Sequence, residues 1–237
     1  MKKTAQSLAK NAVMAAALAA TAFSAQAAEL DIKLYNLTHG ITFTPVVVAA
    51  HDSQTMLFKV GDTASAALQK MAEGGAIDDL SSQVTTAGGV VVENPAQGML
   101  GAGAMTMAML DTQDNMYLSL TAMLLPTNDG FVGLDSWKIP SEAGTYTVWL
   151  NAYDAGTEAN DEIINGGGAS GTPGIPVAPN SDGGTGASGV RSTESNNMVH
   201  IHPGNIGDTD ATGGISDVDS RVHRWLNPVA KLVVTVK

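Results

Sequence analysis

The 237 residues carry 12 basic and 23 acidic side chains and no cysteine. So acidic a chain lacks the positive footprint that nucleic acids and anionic membranes require. The missing cysteines exclude disulfide staples, a thiol nucleophile and a lipoprotein-type anchor, yet a chain this long buries a core without them. Acidity is compatible with divalent cations, calcium above all outside cells, and equally with plain solubility.

Residues 1–28 read as an export signal. Lys2, Lys3 and Lys10 make a basic start, residues 11–23 an Ala-rich apolar core, and Ala25-Gln26-Ala27 a small-x-small cleavage site. Removing the segment takes away three lysines and no acids. Nine basic and 23 acidic side chains then remain, a net charge of −14. No later run reaches the ~18 apolar residues of a membrane span. Residues 29–237 are therefore expected as one exported, soluble domain, periplasmic or extracellular, with no transmembrane segment.

Residues 30–37 alternate apolar and polar, as a half-buried strand does. Residues 41–50 form an apolar run that Pro45 interrupts, a strand with an irregular start. Residues 56–60 read as a further short strand. Asp62-Thr63 is expected to cap a helix over 64–75, which Gly74-Gly75 stops, and 77–84 reads as a second short helix. Both helices are expected at one edge of the fold. Residues 90–92 and 102–110 return to strand character. Met105, Met107 and Met109 alternate there; thioethers suit Cu(I), but Met at period two is the more ordinary filling of a core.

Residues 116–125 are a ten-residue apolar strand ended by Pro126, followed by the turn Thr127-Asn128-Asp129-Gly130. Strands over 131–135 and 145–151 follow, and then the acidic turn 154–158. If these strands run antiparallel, alternate loops share one end of the sheet. Asp129 and Asp154 would then lie side by side, with Thr127, Asn128 and Glu158 as nearby oxygen donors. A calcium ion needs six to eight hard oxygens, so carbonyls and water would complete the shell. The plainer alternative is two Asx turns.

LLPTNDGFVGLDS followed by YDAGTE resembles the core of the spondin domain, the N-terminal module of F-spondin and mindin. NLTHGITFTPVVVAAHD near the start and VHIHPG near the end resemble its bacterial single-domain members. The resemblance spans about residues 30–236. It implies an all-β fold with minor α content, a C2-like antiparallel β-sandwich, and calcium held at loop carboxylates. It also implies a non-enzymatic recognition or adhesion role outside the cell, toward an unidentified protein or glycan ligand. It carries Asp129 and Asp154 across as calcium ligands, and no third carboxylate.

Residues 165–189 hold nine Gly and three Pro and no aromatic residue. Such a segment is expected as a flexible excursion from the sandwich. Residues 198–202 and 229–236 restore strand character after it. Asp208 to Asp219 has the oxygen spacing of a twelve-residue calcium loop, but it ends in Asp, lacks flanking helices and reads better as an acidic surface loop. His200 and His202 fall on one side of a strand. With His39, His51 or His223 they could bind zinc or copper, which opens a second reading: a periplasmic transition-metal protein or a metal-dependent enzyme. No G-x-S-x-G, P-loop or H-E-x-x-H motif is present. Paired aspartates also serve glycoside hydrolysis, but glycosidase clefts are rich in aromatics and this chain is only 5% aromatic.

Overall fold

A computed structural model describes residues 27–179, 183–191 and 196–237. The export signal over 1–28 lies outside the described residues except for Ala27 and Ala28. Ten strands and two helices follow in the order β1 (Glu29–Asn36), β2 (Thr42–Phe43), β3 (Val47–His51), α1 (Ala66–Gly74), α2 (Asp78–Thr86), β4 (Val90–Glu93), β5 (Met105–Asp111), β6 (Tyr117–Leu125), β7 (Gly130–Lys138), β8 (Gly144–Asp154), β9 (His200–Ile201) and β10 (Ala230–Val236). The strands run β4-β3-β6-β7-β8-β10-β1-β5, with β2 on β6 and β9 on β8. Every one of these pairings is antiparallel.

Strand β8 joins the two layers of the sandwich. Its first part, from Gly144 to Leu150, pairs with β10, whereas Asn151 to Asp154 pair with β7. One layer is therefore β5-β1-β10 with the start of β8, and the other is β4-β3-β6-β7 with its end. Leu30, Ile32 and Leu34 of β1 alternate inward, as period two requires, and meet Leu118, Leu120 and Val132 of the opposite layer.

Strand β6 is apolar without alternation because both its faces are covered. Leu118, Leu120 and Leu124 enter the core between the layers. Met123 and Leu125 belong to a second core under the helices, together with Leu68, Met71, Leu80 and Phe131. The helices lie over the margin formed by β4, β3 and β6. Helix α1 begins at Ser65, whose hydroxyl accepts from the Leu68 N–H at 3.1 Å, and ends at Gly75 with φ 72°. The cap is thus Ser65, not the expected Asp62-Thr63. Ser65→Ala is expected to cost about 1 kcal/mol in chemical denaturation.

Two further expectations change. Residues 56–60 form no strand, yet Leu57 and Phe58 are buried beneath the helices. The methionines of β5 do not fill a core: Met105, Met107 and Met109 face outward, Met109 with 76% exposure, while Thr106, Ala108 and Leu110 face in. Pairing with β1 decides this, since it sets Leu34, Ile32 and Leu30 opposite those three inward residues.

Candidate functional site

The β6–β7 turn is buried, unlike most hairpin turns. Thr127, Asn128 and Asp129 are at most 1% exposed. The Thr127 hydroxyl donates to the Leu124 carbonyl at 2.6 Å and accepts from the Gly130 N–H at 3.0 Å, so the side chain closes the turn. Asn128 holds the next loop: its Nδ2 donates to Asp161 Oδ1 at 2.9 Å and its Oδ1 accepts from the Glu162 N–H at 3.2 Å. Gly130 must be glycine, because a Cβ there would lie 2.8 Å from Thr127 Oγ1 and 2.9 Å from His202 Cδ2.

The register sets Gly130 of β7 opposite Asp154 of β8, and Asp154 opposite His200 of β9. Antiparallel order thus brings Asp129 and Asp154 together, both fully buried. Asp154 makes an Asx turn, its Oδ1 accepting from the Gly156 N–H at 2.7 Å, while its Oδ2 accepts from Asn160 Nδ2 at 2.7 Å. Asp129 makes no turn of its own. Its Oδ2 takes hydrogen bonds across the loop from the Thr157 N–H (2.7 Å), the Thr157 hydroxyl (3.1 Å) and the Glu158 N–H (3.1 Å). Its Oδ1 is buried without a hydrogen-bond partner. Burial first, and the charge of Asp154 second, push the Asp129 carboxyl up to about 7 against the pull of those donors.

Glu158 extends the cluster. Its Oε2 accepts from the Gly174 N–H at 3.1 Å and from Asn128 Nδ2 at 3.4 Å, and its Oε1 is buried without a partner. Burial raises its carboxyl to about 7, with Glu73 and Asp129 adding to the effect. The site therefore holds two unpartnered carboxylate oxygens, on Asp129 and Glu158. Oxygen of this kind suits a hard divalent cation.

The Gly-rich segment 165–189 does not stand clear of the sandwich in its described part. Ile175 and Ala178 are buried, and the Gly171 N–H donates to the buried Glu73 at 2.6 Å. Gly74 at the end of α1 touches this segment so closely that a Cβ would sit 2.0 Å from the Gly168 carbonyl. Composition does not reveal these contacts, which arise from the rest of the chain. Glu73 and Gly174 are thus neighbours of the site that carry no signal in the sequence.

His202 lies beside Asp154. Its Nδ1 accepts from the Gly204 N–H at 2.9 Å, which puts the ring proton on Nε2, itself buried without a partner. Burial holds the imidazole down at about 4, outweighing Asp154. His200 is nearer the surface, 3.8 Å from Asp154 Oδ1. The third histidine of a transition-metal site does not join them. His51 is bonded elsewhere through both ring nitrogens, to the Asp52 carbonyl and to the Ser119 hydroxyl, each at 2.7 Å. Among the described residues no group of three or more His, Asp or Glu side chains is arranged to hold a metal ion.

The 208–219 loop folds on itself. Asp208 accepts from the Asp210, Ile215 and Ser216 N–H groups, Asp210 from Thr212, and Asp219 from Arg221. Protein donors occupy these carboxylates, and Arg221 holds Asp219 down at about 2. No helix of the described residues is long and apolar enough to cross a membrane.

No curated protein matches the chain. The family model described as Spondin_N matches residues 30–163, more than half of it. The match runs from β1 through the buried turn and the end of β8 to Ile163, and so takes in Asp129, Asp154 and Glu158. An all-β sandwich with that turn at one end agrees with the match, and the chain belongs to the spondin N-terminal domain family.

Proposed function

We propose that this protein is an exported, calcium-binding recognition module of spondin type, without enzymatic activity, that presents a surface to an extracellular protein or glycan. The observation that carries the reading is the buried Asp129–Asp154 pair with Asp129 Oδ1 left unpartnered. Two carboxylates buried side by side repel each other, and a divalent cation removes that repulsion. Asp129 and Asp154 would hold the ion, and carbonyls and water would complete the shell. The ion supplies positive charge that clips the β6–β7 turn to the end of β8 and steadies this end of the sandwich. The transition-metal reading is less favoured because His51 is spent elsewhere and the His200–His202 pair gains no third histidine.

Calcium should raise the melting temperature of the protein after chelator treatment. At free calcium about 100 times the dissociation constant, the gain is about 2.7 kcal/mol. Asp129→Asn and Asp154→Asn should each abolish most of that gain, whereas Asp210→Ala in the self-satisfied loop should leave it intact. Equal stabilisation of the wild type and both Asn variants would remove calcium from this pair.

A further inference from the structure

A cavity of about 300 Å³ lies beside the carboxylate cluster, and Arg191, Arg224, Asn160, Asn205, Pro203 and Ile206 are among the residues that line it. The chain has only three arginines, and two of them meet here. In so acidic a protein an arginine should find a carboxylate, as Arg221 does with Asp219 at 2.7 Å. Among the described residues neither Arg191 nor Arg224 takes part in an ion pair. The acid in the cavity wall, Glu162, does not serve them. Its Oε1 accepts from the Ile206 N–H at 2.5 Å, and its Oε2 from the Gly207 N–H at 2.8 Å and the Ser216 hydroxyl at 2.5 Å.

Asn205 adds a second, independent feature. It is 6% exposed. Its Nδ2 donates to the Pro126 carbonyl at 2.9 Å and to the His223 carbonyl at 3.4 Å, while its Oδ1 accepts no hydrogen bond among the described residues. The cavity thus combines two unneutralised guanidinium groups with a held amide whose oxygen awaits a donor.

We propose that this cavity binds the carboxylate-bearing ring of an acidic sugar, with Arg191 and Arg224 on the carboxylate and Asn205 Oδ1 accepting a ring hydroxyl. Guanidinium groups match a carboxylate in charge and in planar geometry. The amide oxygen discriminates further, because an ionised acidic side chain of a protein has only acceptors to offer it, whereas a sugar hydroxyl donates. The volume lies at the lower end of small-molecule sites and suits a single ring. Asn160 links the cavity to Asp154, but neither aspartate of the calcium pair contacts the sugar in this arrangement. Sugar binding therefore survives removal of calcium.

Calorimetric titration with D-glucuronate, D-glucose and glutarate, a carboxylate with acceptors only, at low salt and with or without chelator, tests this. Saturable binding is expected for glucuronate alone and in both conditions. Arg191→Gln and Arg224→Gln should each weaken it about tenfold or more, the scale of one charge-assisted hydrogen bond. Both side chains are exposed, so the melting temperature should stay unchanged and loss of binding cannot be loss of fold. Failure of glucuronate to saturate, an equal response to glutarate, or unchanged affinity in both variants would overturn the proposal. Glucuronate binding in a protein that ignores calcium would sink the calcium reading and leave this one standing.

Discussion

Between about pH 4.5 and 6.5 the calcium-free protein is expected to lose stability as the pH rises, the reverse of the usual acid denaturation of a carboxylate-rich protein. Asp129 and Glu158 are both held up to about 7, from 3.8 and 4.5, so in this window the native state keeps two protons that the unfolded chain releases. His202 works the other way. It is held down at about 4 from 6.5, so the unfolded chain binds a proton there that the native state does not. Two native protons against one unfolded proton leave a net of about one, a slope on the order of −1.4 kcal/mol per pH unit at the centre of the window. Below about pH 4 the sign turns, because Asp208, Asp217 and Asp219 are held low and lose their native hydrogen bonds on protonation. Urea unfolding at half-unit intervals from pH 3.5 to 8, after chelator treatment and exhaustive dialysis, should trace a maximum near pH 4–5. Asp129→Asn should remove its share of the falling limb. Under the proposed calcium reading the ion displaces the Asp129 proton, so calcium affinity should climb toward pH 7 and level off above it. A calcium-free stability that rises steadily from pH 4.5 to 6.5 would show that these carboxyls are not buried as a pair.

Phe131→Ala is expected to destabilise the protein by about 3–5 kcal/mol, the cost of an aromatic cavity in a closed core. The ring is fully buried, 5.0 Å from Phe58 in an edge-to-face contact and 5.6 Å from Tyr153. Around it lie Leu68 and Met71 of α1 and Met123 of β6, so the side chain joins the helical cover to the sheet. It also stands two residues beyond Asp129, and loosening it should weaken calcium-induced stabilisation as well. Met109→Ala provides the contrast: this methionine is 76% exposed, and its truncation should change stability by no more than about 0.5 kcal/mol. Denaturation midpoints of the two variants check both values. A larger loss for Met109 than for Phe131 would place the core on the wrong side of β5.

Much of this architecture is legible along the chain because its cause is local. Period two in 30–37 and 229–236 marks strands with one buried face, and the unbroken apolar run at 116–125 marks one covered on both sides. Gly75 ends α1 because the left-handed backbone there suits glycine. The meeting of Asp129 and Asp154 is also readable, since hairpin order puts alternate loops at one end of a sheet. Period two, however, says only that the faces of β5 differ. Which face is buried was decided by pairing with β1, and that put Thr106, Ala108 and Leu110 inside and the methionines out.

Residues close together, or a simple alternation, carry the family, most of the strands, both helices and the candidate carboxylate pair. The depth of the site and its neighbours come from contacts between distant parts of the chain. Gly171 reaches Glu73 across 98 residues, Gly174 reaches Glu158, and Arg191 meets Arg224 at a cavity. Such contacts leave no local pattern, because a glycine N–H or a lone arginine looks the same in sequence wherever the chain carries it. Burial gives them their consequences: it removes the water that would otherwise screen Asp129 from Asp154, and so lets the charge of one carboxylate bear on the other.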